Sequence, residues 1–222
     1  MKNLFYIPSL FVFLLFAFLC CLVFYINFFL LCLIGLLVLG ILFLFRRKKI
    51  VFREEIGSQK SLFLSPTHGI VNSVRRNIEF SDYPDLKNEI RITLPFWVEK
   101  GLYLPESGEV LYLKNNKGKK IPLDSSNENF YGYLEDVSYT DMVIRIKSGY
   151  NCLLRFVDST ISPKPVMWMK SGDRGRGASC FGFYPLGGTL LIYLPSDLEI
   201  LVYEGEFVTP GNSVIGVMNN LI

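Results

Sequence analysis

The feature that most constrains this sequence is its long apolar beginning. The 42 residues from Leu4 to Phe45 include no charged side chain, and Lys2 is the only charge before them. A helix that crosses a bilayer needs about 20 apolar residues, so one straight helix of this length would be about twice too long. The segment therefore predicts a hairpin of two transmembrane helices, at roughly 8–24 and 28–45, with a turn at Tyr25–Asn27.

Positive charge behind the apolar segment predicts its orientation. Arg46–Lys49 are all basic, and basic residues flank membrane helices mainly on the cytoplasmic side. We therefore expect residues 1–49 to form a multi-pass membrane anchor, with the rest of the chain in the cytoplasm. The same basic residues are also suited to bind anionic lipid. A cleaved signal peptide is the alternative, but its apolar region would span only about 7–15 residues.

Residues 50–222 predict a single, mainly β domain. Short apolar runs bounded by turn residues are typical of strands. We predict such strands at Ile90–Leu94, Val110–Leu113, Met142–Ile146, Leu153–Val157, Thr189–Leu194 and Glu199–Val202. Asn72–Phe80 and Asp82–Asn88 are compatible with either a short helix or a loop.

A weak internal repeat occurs near the C-terminus. Gly172-Asp173 is followed by Gly177 and Gly182, and Gly205-Glu206 is followed in the same way by Gly211 and Gly216. Glycine adopts turn conformations that other residues resist. The repeat predicts two related strand–turn–strand units within residues 166–218, of the kind that builds the flattened barrel of lipoyl- and biotinyl-type folds. No lysine lies at a hairpin tip, so we infer architecture and not cofactor attachment.

Charge and residue usage argue against several classes of protein. The region after residue 45 has 22 basic and 20 acidic side chains, which is too balanced for a nucleic-acid-binding domain. The five cysteines form no CxxC pair and His68 is the only histidine, so neither a metal site nor a disulfide framework is predicted. Cys180 fits a small buried residue better than a nucleophile.

Several short motifs follow one another in a recognisable order. They are Phe52–Glu55, Ser65–Val71, Lys100–Val110, Ser126–Asn129 and a final stretch from Gly172 through Cys180–Thr189 to Pro195. With the apolar hairpin in front, this order resembles the short bacterial form of phosphatidylserine decarboxylase over nearly the whole chain. The resemblance implies that family's fold, a location at the bacterial inner membrane and a lipid-facing cleft.

The resemblance also implies where chemistry would take place. Members of that family cleave their own chain at a Gly-Ser bond, and the serine becomes a pyruvoyl group that serves as electron sink for decarboxylation. An aspartate and a histidine help to activate the serine. Here the serine position aligns with Gly188, the aspartate with His68 and the histidine with Lys100, while Thr189 offers a hydroxyl one residue later. A glycine has no side chain with which to attack or eliminate.

Three interpretations of function follow. The first is a non-catalytic relative of phosphatidylserine decarboxylase that needs no cofactor and binds aminophospholipid or a protein partner. The second is an active decarboxylase with atypical self-processing, which makes phosphatidylethanolamine. The third is a membrane-anchored scaffold domain for which the resemblance is chance. We favour the first, because Gly188, His68 and Lys100 all differ from the family's catalytic residues.

Overall fold

The chain divides into two units, residues 1–49 and residues 50–222. The first unit contains two helices. The structure is a computed structural model that describes residues 9–23, 28–44, 46, 50, 60–79, 83–121, 130 and 136–219. Helix α1 is Ser9–Val23 and helix α2 is Phe28–Leu44, and each is almost entirely apolar. The predicted turn at Tyr25–Asn27 and the basic residues at 47–49 lie outside the described residues.

The prediction of a transmembrane hairpin is wrong. The two helices have 15 and 17 residues, which corresponds to about 22 and 26 Å at about 1.5 Å per residue. A bilayer's hydrocarbon core is about 30 Å thick. Within the described parts of the chain, no helix is both long and apolar enough to cross a membrane. The predicted inner-membrane location, with the domain in the cytoplasm, is therefore not supported by a membrane-spanning helix, and it stays a prediction.

The second unit is built from strands, which confirms the mainly β part of the predicted fold. The strands are β1 (Lys60–Leu64), β2 (Gly69–Arg75), β3 (Leu86–Leu94), β4 (Gly101–Tyr103), β5 (Gly108–Asn116), β6 (Tyr139–Ile146), β7 (Asn151–Val157), β8 (Val166–Met167), β9 (Arg174–Gly175), β10 (Cys180–Phe183), β11 (Gly188–Pro195), β12 (Glu199–Ile200), β13 (Phe207–Val208) and β14 (Val214–Asn219). Every predicted strand coincides with one of these, although Glu199–Val202 is shortened to β12. Asn72–Phe80 begins in β2 and not in a helix.

One eight-stranded antiparallel sheet organises the domain. Its strand order is β13–β2–β3–β11–β7–β6–β5–β9, and two three-stranded sheets, β1–β14–β12 and β4–β10–β8, complete the fold. Side chains alternate between the two faces of a strand. In β11, Leu190, Ile192 and Leu194 therefore enter the main apolar core, while Leu191 and Tyr193 enter a smaller core on the other face.

The smaller core also contains a buried ion pair. Arg155 Nε and Nη2 donate to the two carboxylate oxygens of Asp141, each at 2.8 Å. Both side chains are almost fully buried, and the Arg155 guanidinium lies 3.8 Å from the centre of the Tyr139 ring. The pair links β7 to β6 across the face of the sheet that is opposite the main core.

The two predicted repeat units adopt matching turns. The Gly172 N–H donates to the Val110 carbonyl, and the Gly205 N–H donates in the same way to the Val71 carbonyl. Both glycines have φ between +80° and +90°, which is a conformation that side-chain-bearing residues rarely adopt. Each turn precedes a two-residue strand, β9 or β13, and the two strands form opposite edges of the large sheet.

Candidate functional site

The predicted site residues lie on loops and strand ends at one end of the large sheet. Leu94 at the end of β3 pairs with Gly188 at the start of β11. On the other side of β3, Ile70 of β2 pairs with Thr93, which places His68 just beyond this end of the sheet. The Lys100 carbonyl accepts a hydrogen bond from the Tyr184 N–H at 2.9 Å, which ties the third position to the turn before Gly188.

The space beside Gly188 is occupied by Tyr184. A β-carbon placed on Gly188 would overlap the Tyr184 ring and come within 2.6 Å of its hydroxyl oxygen. Tyr184 is fully buried in the main core, and its hydroxyl donates to the Val157 carbonyl. Burial, reinforced by the negative charge of Asp158, raises the pKa of Tyr184, so the phenol keeps its proton.

The residue before this position must also be glycine. Gly187 has a φ of +85°, and a β-carbon there would overlap the Leu94 carbonyl oxygen. The Gly187 N–H donates to the Tyr184 carbonyl at 3.1 Å, which closes the turn from 184 to 187. The backbone of this turn therefore has a shape that a side chain at position 187 or 188 would disturb.

The neighbouring hydroxyl of Thr189 lies on the wrong face. Because side chains alternate along β11, Thr189 faces away from the main core into which a Gly188 side chain would project. Thr189 is buried between Thr93 of β3 and Val157 of β7. Its hydroxyl is therefore separated from the Gly188 position by the sheet itself.

His68 belongs to a small buried polar cluster. Its Nε2 lies 3.4 Å from Glu99 Oε2, and the Glu99 side chain is completely buried while that of His68 is 10 % exposed. The Tyr103 hydroxyl donates to Glu99 Oε1 at 3.1 Å. A carboxylate in this position orients an imidazole ring. His68 is therefore mostly buried beside Glu99, and only a small part of its side chain is accessible from the surface.

The amine of Lys100 is bound to backbone carbonyls of the preceding residues. Its Nζ donates to the carbonyls of Pro95 and Val98, at 2.6 and 2.7 Å, and so stabilises the turn at 95–98. Lys100 is only 1 % exposed. Burial lowers the pKa of Lys100 to about 8, although the nearby Glu99 carboxylate acts in the opposite direction.

Two residues that are important to the site were not predictable from the sequence. Glu99 occurs beside Lys100 in a run that reads as an ordinary charged pair, and Tyr184 resembles any apolar core residue. Nothing local in the sequence indicates that either lies next to His68 or Gly188. Cys180, by contrast, is half-buried and donates its thiol to the Gly182 carbonyl at 3.3 Å, as a structural residue would.

Residue 188, the position predicted for a self-generated pyruvoyl group, does not fit that group. A pyruvoyl group forms from a residue with a side-chain oxygen, and Gly188 has neither that oxygen nor space for it. No cluster of three or more metal-ligating side chains occurs among the residues that the structure describes. The Phe52–Glu55 and Ser126–Asn129 motifs lie outside the described residues.

Comparison with known proteins identifies relatives that share one name. No family model matches the sequence. A phosphatidylserine decarboxylase proenzyme of Symbiobacterium thermophilum is 30% identical over 112 residues, which are 50% of this chain and 50% of that protein. The protein of the same name from Amoebophilus asiaticus is 29% identical over 81% of this chain and 76% of its own length. That of Wolbachia sp. subsp. Brugia malayi is 28% identical over 74% of this chain and 71% of its own.

Proposed function

The chain belongs to the phosphatidylserine decarboxylase family, and from this premise we propose that it is a non-catalytic member that binds an aminophospholipid without converting it. The interpretation of the resemblance as chance is therefore wrong. The observation that carries the proposal is the close approach of the Tyr184 ring to Gly188. Residue 188 has no side chain, and the tyrosine ring occupies the place that a serine would need.

The neighbouring residues support the absence of self-cleavage. An acyl shift begins with attack by a hydroxyl on the carbonyl just before it, and misplacing a reacting group by about 1 Å can already cost about 100-fold in rate. Thr189 is one residue away and on the opposite face of β11. Lys100 is committed to two backbone carbonyls, so it is not placed to act as a base.

Binding is assigned to His68. The relatives are named for phosphatidylserine, whose head group carries a phosphate, a carboxylate and an ammonium. The imidazole of His68 lies 3.4 Å from the buried Glu99 carboxylate, and the His68 side chain is 10% exposed. An imidazole N–H is a good donor to a phosphate or carboxylate oxygen. We propose that His68 contacts the carboxylate of the head group, which is the anionic group that phosphatidylcholine lacks.

Two measurements on the full chain test the loss of chemistry. Intact mass spectrometry, before and after treatment with an amine and cyanoborohydride, should give the mass of one unbroken and unmodified chain. Assays with phosphatidylserine vesicles should release no carbon dioxide. Two fragments separated next to residue 188, or a reduced amine adduct, would show an active decarboxylase with atypical self-processing.

A third measurement tests binding independently of chemistry. His68 is the only histidine, so its imidazole signals in an NMR spectrum report on this site alone. Short-chain phosphatidylserine should shift these signals in a saturable manner, whereas short-chain phosphatidylcholine should not. A Glu99→Gln variant should weaken the binding several-fold, and Glu109→Gln serves as the matched control, because Glu109 of β5 is half-buried and pairs with Arg174. Unchanged His68 signals at saturating lipid would contradict the binding role.

A further inference from the structure

A cluster of exposed apolar side chains surrounds the turn at 184–187. The cluster, termed here the aromatic rim, consists of Phe96, Trp97, Ile161, Val166 and Trp168. Each of these side chains is between 41% and 68% exposed. Large side chains that are exposed together, and not singly, mark an interaction surface.

Two parts of the rim lie on either side of the turn. On one side, Gly187 approaches the Leu94–Pro95 backbone, directly before Phe96 and Trp97. On the other side, the Leu186 N–H donates to Ser162 Oγ at 3.4 Å. The two parts are also joined through β10, since Phe183 pairs with Gly101 in β4 and with Val166 in β8. The rim is therefore one continuous end of the domain.

The segment from Lys164 to Lys170 shows a regular alternation. Val166 and Trp168 point outward with a lysine at each end, while Met167 and Met169 pack against the main core. This outward face thus reads Lys, Val, Trp, Lys. Lysines extend their ammonium groups toward lipid phosphates while tryptophan lies at the level of the head groups.

The charges near the aromatic rim indicate which kind of partner it binds. Residues 94–98 and 159–170 contain no acidic side chain, and their only charges are Lys164 and Lys170. Lys164 lies 3.4 Å from the buried Asp158 carboxylate but is still 48% exposed. Both tryptophans of the chain lie in the rim. Tryptophan is typical of the interface between membrane and water.

We propose that the aromatic rim docks onto the surface of a bilayer that contains anionic lipid. Phe96, Trp97 and Trp168 enter the head-group region, and Lys164 and Lys170 contact lipid phosphates. The interaction recognises surface charge and not a particular head group. It goes beyond the proposed binding at His68 and does not depend on it.

Tryptophan fluorescence of the full chain tests this docking directly. Neither α1 nor α2 contains tryptophan, so emission reports only on Trp97 and Trp168. The probes are vesicles with brominated acyl chains, made from phosphatidylcholine alone or with phosphatidylglycerol. With phosphatidylglycerol, the emission should shift to shorter wavelength and be quenched. Trp97→Phe and Trp168→Phe should each retain part of the quenching.

Charge variants supply the control. Lys164→Gln with Lys170→Gln should reduce the quenching several-fold, whereas Lys87→Gln with Lys147→Gln, an equal charge change at exposed positions near the opposite end of the large sheet, should leave it unchanged. Emission that stays unquenched in both vesicles would overturn the proposal in favour of a protein partner on the rim. Quenching that is unchanged when both lysines are replaced, or that is equal with and without phosphatidylglycerol, would overturn it as well.

Discussion

The ring of Tyr184 lies where any side chain on Gly188 would have to begin. The two residues are only four positions apart, and the turn between them brings the ring back over the start of β11. Position 188 therefore has no room for a side chain, in addition to having no hydroxyl. A serine introduced there alone would place new atoms inside an occupied core.

This relationship predicts coupled effects on stability. Gly188→Ser and Gly188→Ala should each destabilise the chain by about 1–3 kcal/mol, because extra atoms in a well-packed core force neighbours to move. In a Tyr184→Leu background the same substitutions should cost clearly less. A double-mutant cycle from denaturant unfolding measures the difference. Equal costs in both backgrounds would contradict the overlap between Tyr184 and residue 188.

A second prediction concerns the recovery of self-cleavage. Gly188→Ser alone should yield an intact chain, as should Gly188→Ser combined with His68→Asp and Lys100→His. Tyr184 remains in the way of the new serine in both variants. We expect cleavage first when Tyr184→Leu is added to the triple variant. Denaturing gels and intact mass distinguish the outcomes, and cleavage of the triple variant with Tyr184 present would show that the ring is no obstacle.

The lowered pKa of Lys100 predicts that the stability of the folded chain depends on pH. Burial lowers its pKa from 10.5 to about 8 in the folded chain. Between these values the unfolded chain binds a proton that the folded chain has released, so stability rises with pH across this window. A neutral amine still has two N–H donors for the carbonyls of Pro95 and Val98.

The measurement is denaturant unfolding at several pH values between about 7.5 and 10.5. The stability advantage of the natural chain over Lys100→Met should grow across this range. The stability of Lys170→Met, which removes an exposed lysine, should change with pH in parallel with the stability of the natural chain. A constant difference between the natural chain and Lys100→Met would mean that Lys100 has an ordinary pKa.

The buried ion pair supports a fourth prediction. Asp141→Ala should destabilise the chain by about 3–5 kcal/mol, because it leaves the Arg155 charge buried without its carboxylate partner. Asp136→Ala breaks a solvent-exposed pair with Lys119 and should cost less than about 1 kcal/mol. Chemical denaturation of the two variants provides the comparison. Similar small losses would indicate that Arg155 is stabilised by other groups, such as the Tyr139 ring.

The strands were predictable because their signal is local. Ile90–Leu94 alternates between apolar and polar residues, whereas Thr189–Leu194 is almost continuously apolar. Turn residues bound both segments, and the segments lie within the observed strands β3 and β11. The repeated Gly-acidic pairs likewise indicated the two matching turns, since only glycine tolerates their backbone at little cost. Helices α1 and α2 begin and end within one residue of the predicted bounds, but an apolar run does not by itself show that the helix it forms crosses a bilayer.

What the sequence by itself determined is the mainly β domain, the family and the absence of a hydroxyl at Gly188. These follow from residue identity, period and order along the chain. What only the tertiary structure decided is which groups meet: Tyr184 with Gly188, and Glu99 with His68. Such pairs depend on how turns and strand ends converge at one end of the large sheet. The physical reason is that packing is a property of distances in space, which residue spacing along the chain does not fix.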